Sequence, residues 1–140
     1  MIDGEVIERR IDIINENMRY LRSVRGMDEK VFVSSFERVQ ASKHSLQEVI
    51  EACLDIANHI LAAEGFPRAE EYMQLFVILA REGVIGDSLG VKLAQMAKFR
   101  NLLVHRYSRV SSGELYRILR EDLVDVEEFV REILVFIEGR

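Results

Sequence analysis

The amino-acid sequence predicts an all-α fold, an antiparallel helical bundle of four to five helices. Apolar residues recur at spacings of three and four over most of the 140-residue chain, which is the period of a packed helix. Glycines stand near the expected helix ends, and only the run 31–33 has the composition of a strand. Because three residues cannot form a sheet, we expect no β structure, and the chain length predicts a single domain spanning 1–140.

The first two helices are predicted by an apolar seam and a capping motif. The seam of the first helix steps by four and three residues through Ile7, Ile11, Ile14, Met18 and Leu21. Ser34 and Glu37 have the spacing of a capping box, in which each side chain bonds the other residue's backbone N–H. This box starts a long second helix, and Gly65 followed by Pro67 ends it near Glu64.

Three further helices are predicted in the second half of the chain. The third spans about 69–82, and its inward face carries Tyr72, Leu75, Phe76 and Leu79. The fourth spans about 87–105. Ser111 and Glu114 form a second capping box, which opens a last helix that runs to about Glu138.

The composition excludes several classes of protein. Hydrophobic residues make up 49% of the chain and charged residues 31%, which excludes a disordered protein. Cys53 is the single cysteine, so a disulfide framework is excluded and a small core residue is expected at this position. No run of 18 apolar residues is present, and the N-terminus lacks the pattern of a signal peptide. We therefore expect no membrane association and a cytoplasmic location.

A basic segment interrupts an otherwise acidic chain. The whole sequence has 19 basic and 24 acidic residues, yet the segment 88–113 contains no Asp or Glu. Its basic residues are Lys92, Lys98, Arg100, Arg106 and Arg109. Such a segment indicates a local anion-binding site, and phosphate is the commonest biological anion. The alternative is a solvated helix face that is paired with acidic neighbours in the fold.

Within this segment, a guanidinium, an amide, an imidazole and a phenol stand close together over 100–107. On a helical projection, Arg100 falls near the centre of the buried stripe formed by Leu89, Leu93, Met96, Ala97, Leu103 and Val104, where an unpaired arginine is costly. Asn101 and His105 are four residues apart on its flank. Arginine binds phosphate bidentately and histidine transfers protons near neutral pH, which suits metal-free cleavage of RNA by its own 2′-hydroxyl. One histidine cannot be base and acid in one transition state, so we expect a homodimer with a shared cleft.

The residues alone leave other interpretations open. Arg100 could pair with an acidic residue of the second helix, such as Asp55, and His105 could simply stabilise its helix end. Asp55 and His59 are four residues apart, which can bring two metal ligands together, but no third ligand is visible nearby. A buried, hydrogen-bonded pair is favoured over a metal site. In a third interpretation, Asp55, Asn58 or His59 faces Arg100 and orients it.

The segment 100–107 resembles the R-N-x-x-x-H-x-Y signature of the HepT-like ribonuclease family, which belongs to the HEPN superfamily of helical domains. The segments 55–60, 83–85 and 93–99 also resemble that family, so the likeness spans nearly the whole chain. The resemblance implies a HEPN-like fold and a toxin that cleaves RNA without a metal ion or another cofactor. It implies that Arg100 and His105 are the catalytic pair and that Asn101 supports them.

The same resemblance implies a partner and a form of regulation. The partner would be a minimal nucleotidyltransferase that acts as the antitoxin. It would attach AMP to Tyr107 and so silence the toxin, because each AMP adds negative charge and bulk beside Arg100. The alternative is a non-catalytic module of the same fold that binds a nucleotide or the partner protein.

Overall fold

A computed structural model describes residues 1–105 and 110–140, which form seven α-helices and no strand. The helices are α1 (Gly4–Arg25), α2 (Glu29–Val33), α3 (Phe36–Glu64), α4 (Tyr72–Arg81), α5 (Asp87–His105), α6 (Ser112–Glu121) and α7 (Leu123–Glu138). The predicted all-α class is confirmed. In this part of the chain, no helix is long and apolar enough to cross a membrane.

The buried side chains of the described residues form one hydrophobic cluster, to which most of the helices contribute. The predicted inward residues of the first two long helices are buried, except that Ile11 is only partly buried. Phe76 of α4 and Phe129 of α7 meet edge to face, with ring centroids 5.7 Å apart. Cys53 lies in this core, and burial raises the pKa of its thiol to about 12, so it is not a thiolate nucleophile.

The start of α3 corrects the predicted capping box by one residue. Ser35, and not Ser34, is the N-cap, and its hydroxyl oxygen accepts a hydrogen bond from the backbone N–H of Arg38 at 3.2 Å. Ser34 instead ends α2. The strand-like run 31–33 is helical because it belongs to α2, whose Phe32 is fully buried in the core.

The predicted last helix is in fact two helices, which meet at Asp122. The backbone N–H of Asp122 still bonds the carbonyl of Ile118 at 2.8 Å, so the break is local. However, α6 packs on α1 and α2, whereas α7 packs on α5 and α3. One straight helix could not reach both sets of partners. The apolar period continues through the break and so does not reveal it.

The helix α4 begins at Tyr72 instead of residue 69. The side-chain oxygen of Gln74 accepts hydrogen bonds from the backbone N–H groups of Glu70 at 2.8 Å and Glu71 at 3.2 Å, which caps the helix there. As the first helical residue, Tyr72 is 49% exposed, and its predicted inward position is wrong. The other three residues predicted to face inward are buried.

Close packing of α4 against α5 depends on Gly90. A Cβ atom at this position would lie 2.8 Å from the Cβ of Ala80 and 3.3 Å from the carbonyl oxygen of Phe76. Only glycine allows this approach of the two helices. Gly90 lies near the short connection between them, and at the other end of the pair Arg100 faces Tyr72.

Candidate active site

Arg100 lies where α3, α4 and α5 meet. Its side chain is 16% exposed, and its Nη2 atom lies 3.2 Å from the Oε1 atom of Glu51 on α3. Its guanidinium carbon lies 4.9 Å from the ring centroid of Tyr72 on α4, which is a cation–π distance. Nη1 donates to the Oδ1 atom of Asn101 at 3.4 Å, and Nε is buried without a hydrogen-bond partner among the described residues. The guanidinium is therefore held on several sides but keeps an unused donor.

The pairing of Arg100 with a carboxylate of the long helix was one of the interpretations left open, and the structure shows it with a different residue. The partner is Glu51 and not Asp55, which instead lies 3.3 Å from the Nε atom of Arg10 on α1. Glu51 and Asp55 are one turn apart on α3 and share a face. The spacing therefore predicted which face of α3 meets Arg100, but not which helical turn on that face supplies the carboxylate.

An open cavity of about 770 Å³ lies next to two of the residues that contact Arg100. Tyr72 and Asn101, which both contact Arg100, contribute to its wall. The remaining wall comes from α3, from the segment before α4 and from α5: Leu54, Asp55, Asn58, Ala69, Glu70, Glu71, Met73, Leu75, Ala97 and Lys98. Neither Arg100 nor Glu51 lines this opening, so the ion pair is connected to it through Tyr72 and Asn101. The opening itself has the size of a ligand site.

Asn101 and His105 lie on the exposed side of the last turns of α5. His105 is the last residue of the helix, and its imidazole makes no hydrogen bond or ion pair with the described residues. The predicted buried stripe ends at Leu103, because Val104 is 36% exposed and the neighbouring Leu102 is 40% exposed. Tyr107, the predicted AMP acceptor, lies outside the described residues.

The three candidate positions on α3 have different surroundings. Asp55 and Asn58 are exposed and line the cavity. His59 does not line it, because its Nε2 atom accepts a hydrogen bond from the backbone N–H of Asp3 at 2.9 Å. The predicted buried pair of Asp55 and His59 is wrong, since each bonds a different part of the N-terminal region. Within 1–105 and 110–140, no three His, Cys, Asp or Glu side chains are close enough together to hold a metal ion.

The basic segment is partly paired and partly available. The Nζ atom of Lys92 lies 3.9 Å from the Oδ1 atom of Asp125 on α7, as the solvated-face alternative predicts. Lys98 lines the cavity and forms no ion pair with a described residue. A second cavity of about 540 Å³, between α5 and the last two helices, also includes Lys98 but neither Asn101 nor any residue of α3 or α4. Of the candidate residues, Asn101, Asp55 and Asn58 line the first cavity, whereas Arg100, His59 and His105 do not.

Sequence reasoning missed two residues that contact Arg100. Glu51 could have been found from its position one turn before Asp55 on the same face of α3. Tyr72 was placed in the core because it has the helical spacing of the buried Leu75, Phe76 and Leu79, although at the start of α4 it is 49% exposed. No local signal distinguishes an aromatic ring that supports a cation from one that packs in the core.

Known proteins with the same fold and similar sequences include nucleases. A protein described as mRNA nuclease HepT, from Shewanella oneidensis, is 28% identical over 91% of this chain and 95% of its own. One described as tRNA nuclease HepT, from Aphanizomenon flos-aquae, is 24% identical over 94% of this chain and 90% of its own. A solved structure of a tri-AMPylated Shewanella oneidensis HEPN toxin in complex with MNT antitoxin superposes with a TM-score of 0.85 at 28% identity, covering 93% of this chain and 97% of the toxin.

The similarity to the family covers most of the chain and not only the segment 100–107. Residues 14–133 match the family described as Ribonuclease HepT-like. This range includes Arg100, Asn101 and His105 and the parts of α3 and α4 that surround them. The predicted HEPN-like fold is confirmed by the superposition. The resemblance first indicated by the signature is likewise confirmed, and this chain belongs to the ribonuclease HepT-like family.

Proposed function

We propose that this protein is the endoribonuclease toxin of a toxin–antitoxin pair, and that it cleaves RNA without a metal ion at a cleft between two copies of the chain. The observation that carries the proposal is the position of Arg100, a mostly buried cation on the same helix as the exposed His105 and as Asn101, which contacts Arg100 and lines an open cavity. Membership of the family and the nuclease names of two relatives support it.

In the proposed reaction, Arg100 binds the scissile phosphate. A guanidinium keeps its charge at any working pH and offers paired donors to phosphate oxygens. An entering phosphate would compete with Glu51 for these donors, and until then Glu51 and Tyr72 hold the guanidinium in place. As negative charge builds on the five-coordinate phosphorus, a fixed cation beside it lowers the barrier. Asn101 would orient this group through its side-chain oxygen.

The proton transfers require two histidines, which is why the proposal includes a dimer. The 2′-oxygen forms a bond to phosphorus while the bond to the 5′-oxygen breaks, which leaves a 2′,3′-cyclic phosphate. One imidazole takes the proton of the 2′-hydroxyl and another gives a proton to the departing 5′-oxygen. Each chain contributes one His105, so a symmetric pair supplies both groups. The exposed Leu102 and Val104 beside His105 provide an apolar surface for such a contact.

The experiment that tests the activity is RNA cleavage in the presence of a metal chelator. The wild-type protein should cleave RNA under these conditions, and His105→Ala should lose the activity. His44→Ala is the matched control, because His44 is an exposed histidine of α3 outside the cavity, and it should cleave at the wild-type rate. Cleavage that needs an added divalent ion, or that persists in His105→Ala, would contradict the proposal.

We also propose that a minimal nucleotidyltransferase antitoxin silences this protein by transferring AMP to Tyr107. The similarity to an AMPylated HEPN toxin in complex with MNT antitoxin supports this regulation. Co-expression with a neighbouring nucleotidyltransferase gene should raise the intact mass in steps of one AMP. Tyr107→Phe should abolish the gain, and Tyr72→Phe, which alters an exposed tyrosine outside the segment 100–107, should preserve it. Mass steps that persist in Tyr107→Phe would place the modification elsewhere.

One observation favours the alternative function, a non-catalytic module that binds a nucleotide or the partner protein. Arg100 is already paired with Glu51 inside its own chain, so it could serve binding and orientation alone. This alternative predicts tight nucleotide or partner binding together with no RNA turnover. The chelator experiment therefore separates the two functions.

A further inference from the structure

Tyr72 is an exposed aromatic ring placed directly beside the proposed phosphate-binding cation. The ring is 49% exposed although one part of it supports the guanidinium of Arg100 at 4.9 Å. It also forms part of the cavity wall. Proteins that bind single-stranded RNA stack unpaired bases on exposed aromatic rings while basic groups hold the backbone. The geometry of Tyr72 and Arg100 matches that division of roles.

The wall of the cavity is rich in hydrogen-bond acceptors. It carries the carboxylates of Asp55, Glu70 and Glu71 and the amides of Asn58 and Asn101, with Lys98 as the one basic side chain among its lining residues. Carboxylates repel phosphate, so the RNA backbone would run along the side of Arg100 and the uncharged base would enter the cavity. A volume of about 770 Å³ is within the range of small-molecule sites.

We propose that this cavity is a nucleobase subsite, an inference that rests on the proposed ribonuclease function. The subsite selects guanine as the base of the nucleotide whose 2′-hydroxyl attacks the phosphorus. The base stacks on Tyr72 and turns its Watson–Crick edge towards the carboxylates. Ionised carboxylates can only accept hydrogen bonds. Guanine presents two neighbouring donors, N1–H and N2–H₂, to one carboxylate. Adenine and cytosine present one amino group, and uracil presents a single N–H between two carbonyl oxygens.

Glu70 is the acceptor best placed to act. It is exposed, lines the cavity and forms no ion pair with the described residues, whereas Asp55 is engaged with Arg10. The backbone N–H of Glu70 is bonded to Gln74, which fixes the main chain at this point and leaves the carboxylate free to meet a base. Glu70 and Tyr72 are therefore the two residues of the subsite that the test changes.

The test uses deoxyuridine oligonucleotides that contain one ribonucleotide: G, A, C or U. Only the ribonucleotide has a 2′-hydroxyl, so cleavage can occur at one position and the base there is the only variable. We expect kcat/KM to be highest for G and lowest for U. Tyr72→Ala should lower kcat/KM for G by about tenfold to a hundredfold and lower it less for U. Tyr72→Phe keeps the ring and should retain the preference.

Glu70→Gln should reduce the G-to-U ratio of kcat/KM, because the neutral amide no longer offers a carboxylate to the two donors of guanine. Glu82→Gln is the matched control, because Glu82 is an exposed glutamate at the other end of α4 and should leave the ratio unchanged. If Tyr72 only positioned Arg100, Tyr72→Ala would slow all four substrates equally, and that result would overturn the proposal. Equal cleavage of the four substrates by the wild-type protein would also overturn it.

Binding measurements separate a failure of this subsite from a failure of the proposed function. All-deoxy oligonucleotides with a single G or U cannot be cleaved by a 2′-hydroxyl, and fluorescence anisotropy measures their affinity directly. The G oligonucleotide should bind more tightly, and Tyr72→Ala should remove the difference. A G preference in binding without RNA cleavage would contradict the enzyme but support the subsite. RNA cleavage with equal binding of the two oligonucleotides would support the enzyme but contradict the subsite.

Discussion

At the scale of single residues, Arg100 combines two properties that usually exclude each other. Its side chain is mostly buried, yet Tyr72 and Asn101, which contact its guanidinium, line an open cavity. Its ion pair with Glu51, which is 34% exposed, should add about 1 kcal/mol or less to stability, because solvent screens such pairs. A residue that stabilises the fold so little has room for a role in function.

Because the ion pair of Arg100 contributes little to stability, we expect stability and activity to respond differently to substitution of Arg100. Arg100→Ala should lower the rate of RNA cleavage by about a hundredfold or more, because a fixed donor to the phosphate is lost. Arg100→Lys keeps the charge but not the paired donors, so it should lose most of the activity as well. Urea unfolding should show a change of at most about 1 kcal/mol for Arg100→Lys. A large loss of stability with unchanged cleavage would assign Arg100 to the fold alone.

At the scale of helices, the site depends on how closely α4 and α5 pack. Gly90 sets this distance near their connection, and Arg100 meets Tyr72 at the far end of the same pair. Glycine inside a helix costs about 0.5–1 kcal/mol relative to alanine, so its presence here reflects packing and not helix propensity. A small change near the connection is therefore expected to alter the cavity.

Gly90→Ala should destabilise the protein by about 1–3 kcal/mol, because the added methyl group overlaps the Cβ of Ala80. Thermal unfolding measures the loss, and RNA cleavage should fall with it as α4 moves away from α5. Gly4→Ala is the control, since a Cβ there meets nothing within 4 Å. A Gly90→Ala protein as stable as the control would show that the two helices can separate without cost.

Asp125 on α7 predicts a pH dependence of stability. Burial raises the pKa of this carboxyl, while the nearby Lys92 lowers it and the nearby Asp122 raises it. The folded state therefore holds the proton more tightly than the unfolded chain, whose aspartate pKa is about 3.9. The free energy of unfolding should fall as pH rises from this value through the folded pKa, and the penalty should then stay constant to neutral pH.

Asp125→Asn removes this titration and should make the protein more stable than the wild type at pH 7. Urea unfolding between about pH 3.5 and 7 measures the effect, because carboxyl groups with raised pKa values titrate in this range. Asp12→Asn changes an exposed aspartate of α1 and serves as the control. A lower stability of Asp125→Asn at pH 7 would mean that the ion pair with Lys92 outweighs the cost of burial.

At the scale of the whole molecule, the buried side chains of the described residues form one hydrophobic cluster. The single domain spanning 1–140 stays a prediction from chain length. Its exposed apolar side chains include Leu102 and Val104 on α5, in the last turns beside Asn101 and His105. An apolar surface next to a chemically incomplete site is what a dimer of this chain would cover. The proposed dimer therefore depends on the whole surface of the molecule as well as on the chemistry of His105.

Leu102→Glu should weaken the dimer and lower cleavage per chain, because a charge replaces an apolar group at the proposed contact. Analytical ultracentrifugation over a range of concentrations measures the association, and cleavage at the same concentrations measures the activity. Leu134→Glu changes a similarly exposed leucine on α7 and should preserve both. A wild-type protein that is fully active as a monomer would contradict the shared cleft.

The sequence by itself determined the helical class, most helix positions, the family and the candidate residues Arg100, Asn101 and His105. Helical periods, caps and a short motif are local, so they can be read from neighbouring residues. The tertiary structure decided that Glu51 and not Asp55 pairs with Arg100, although 49 positions separate the two partners. It also decided the exposure of Tyr72 and the division at Asp122 into α6 and α7. These features arise from contacts between distant segments, and several arrangements of those contacts fit the same local pattern.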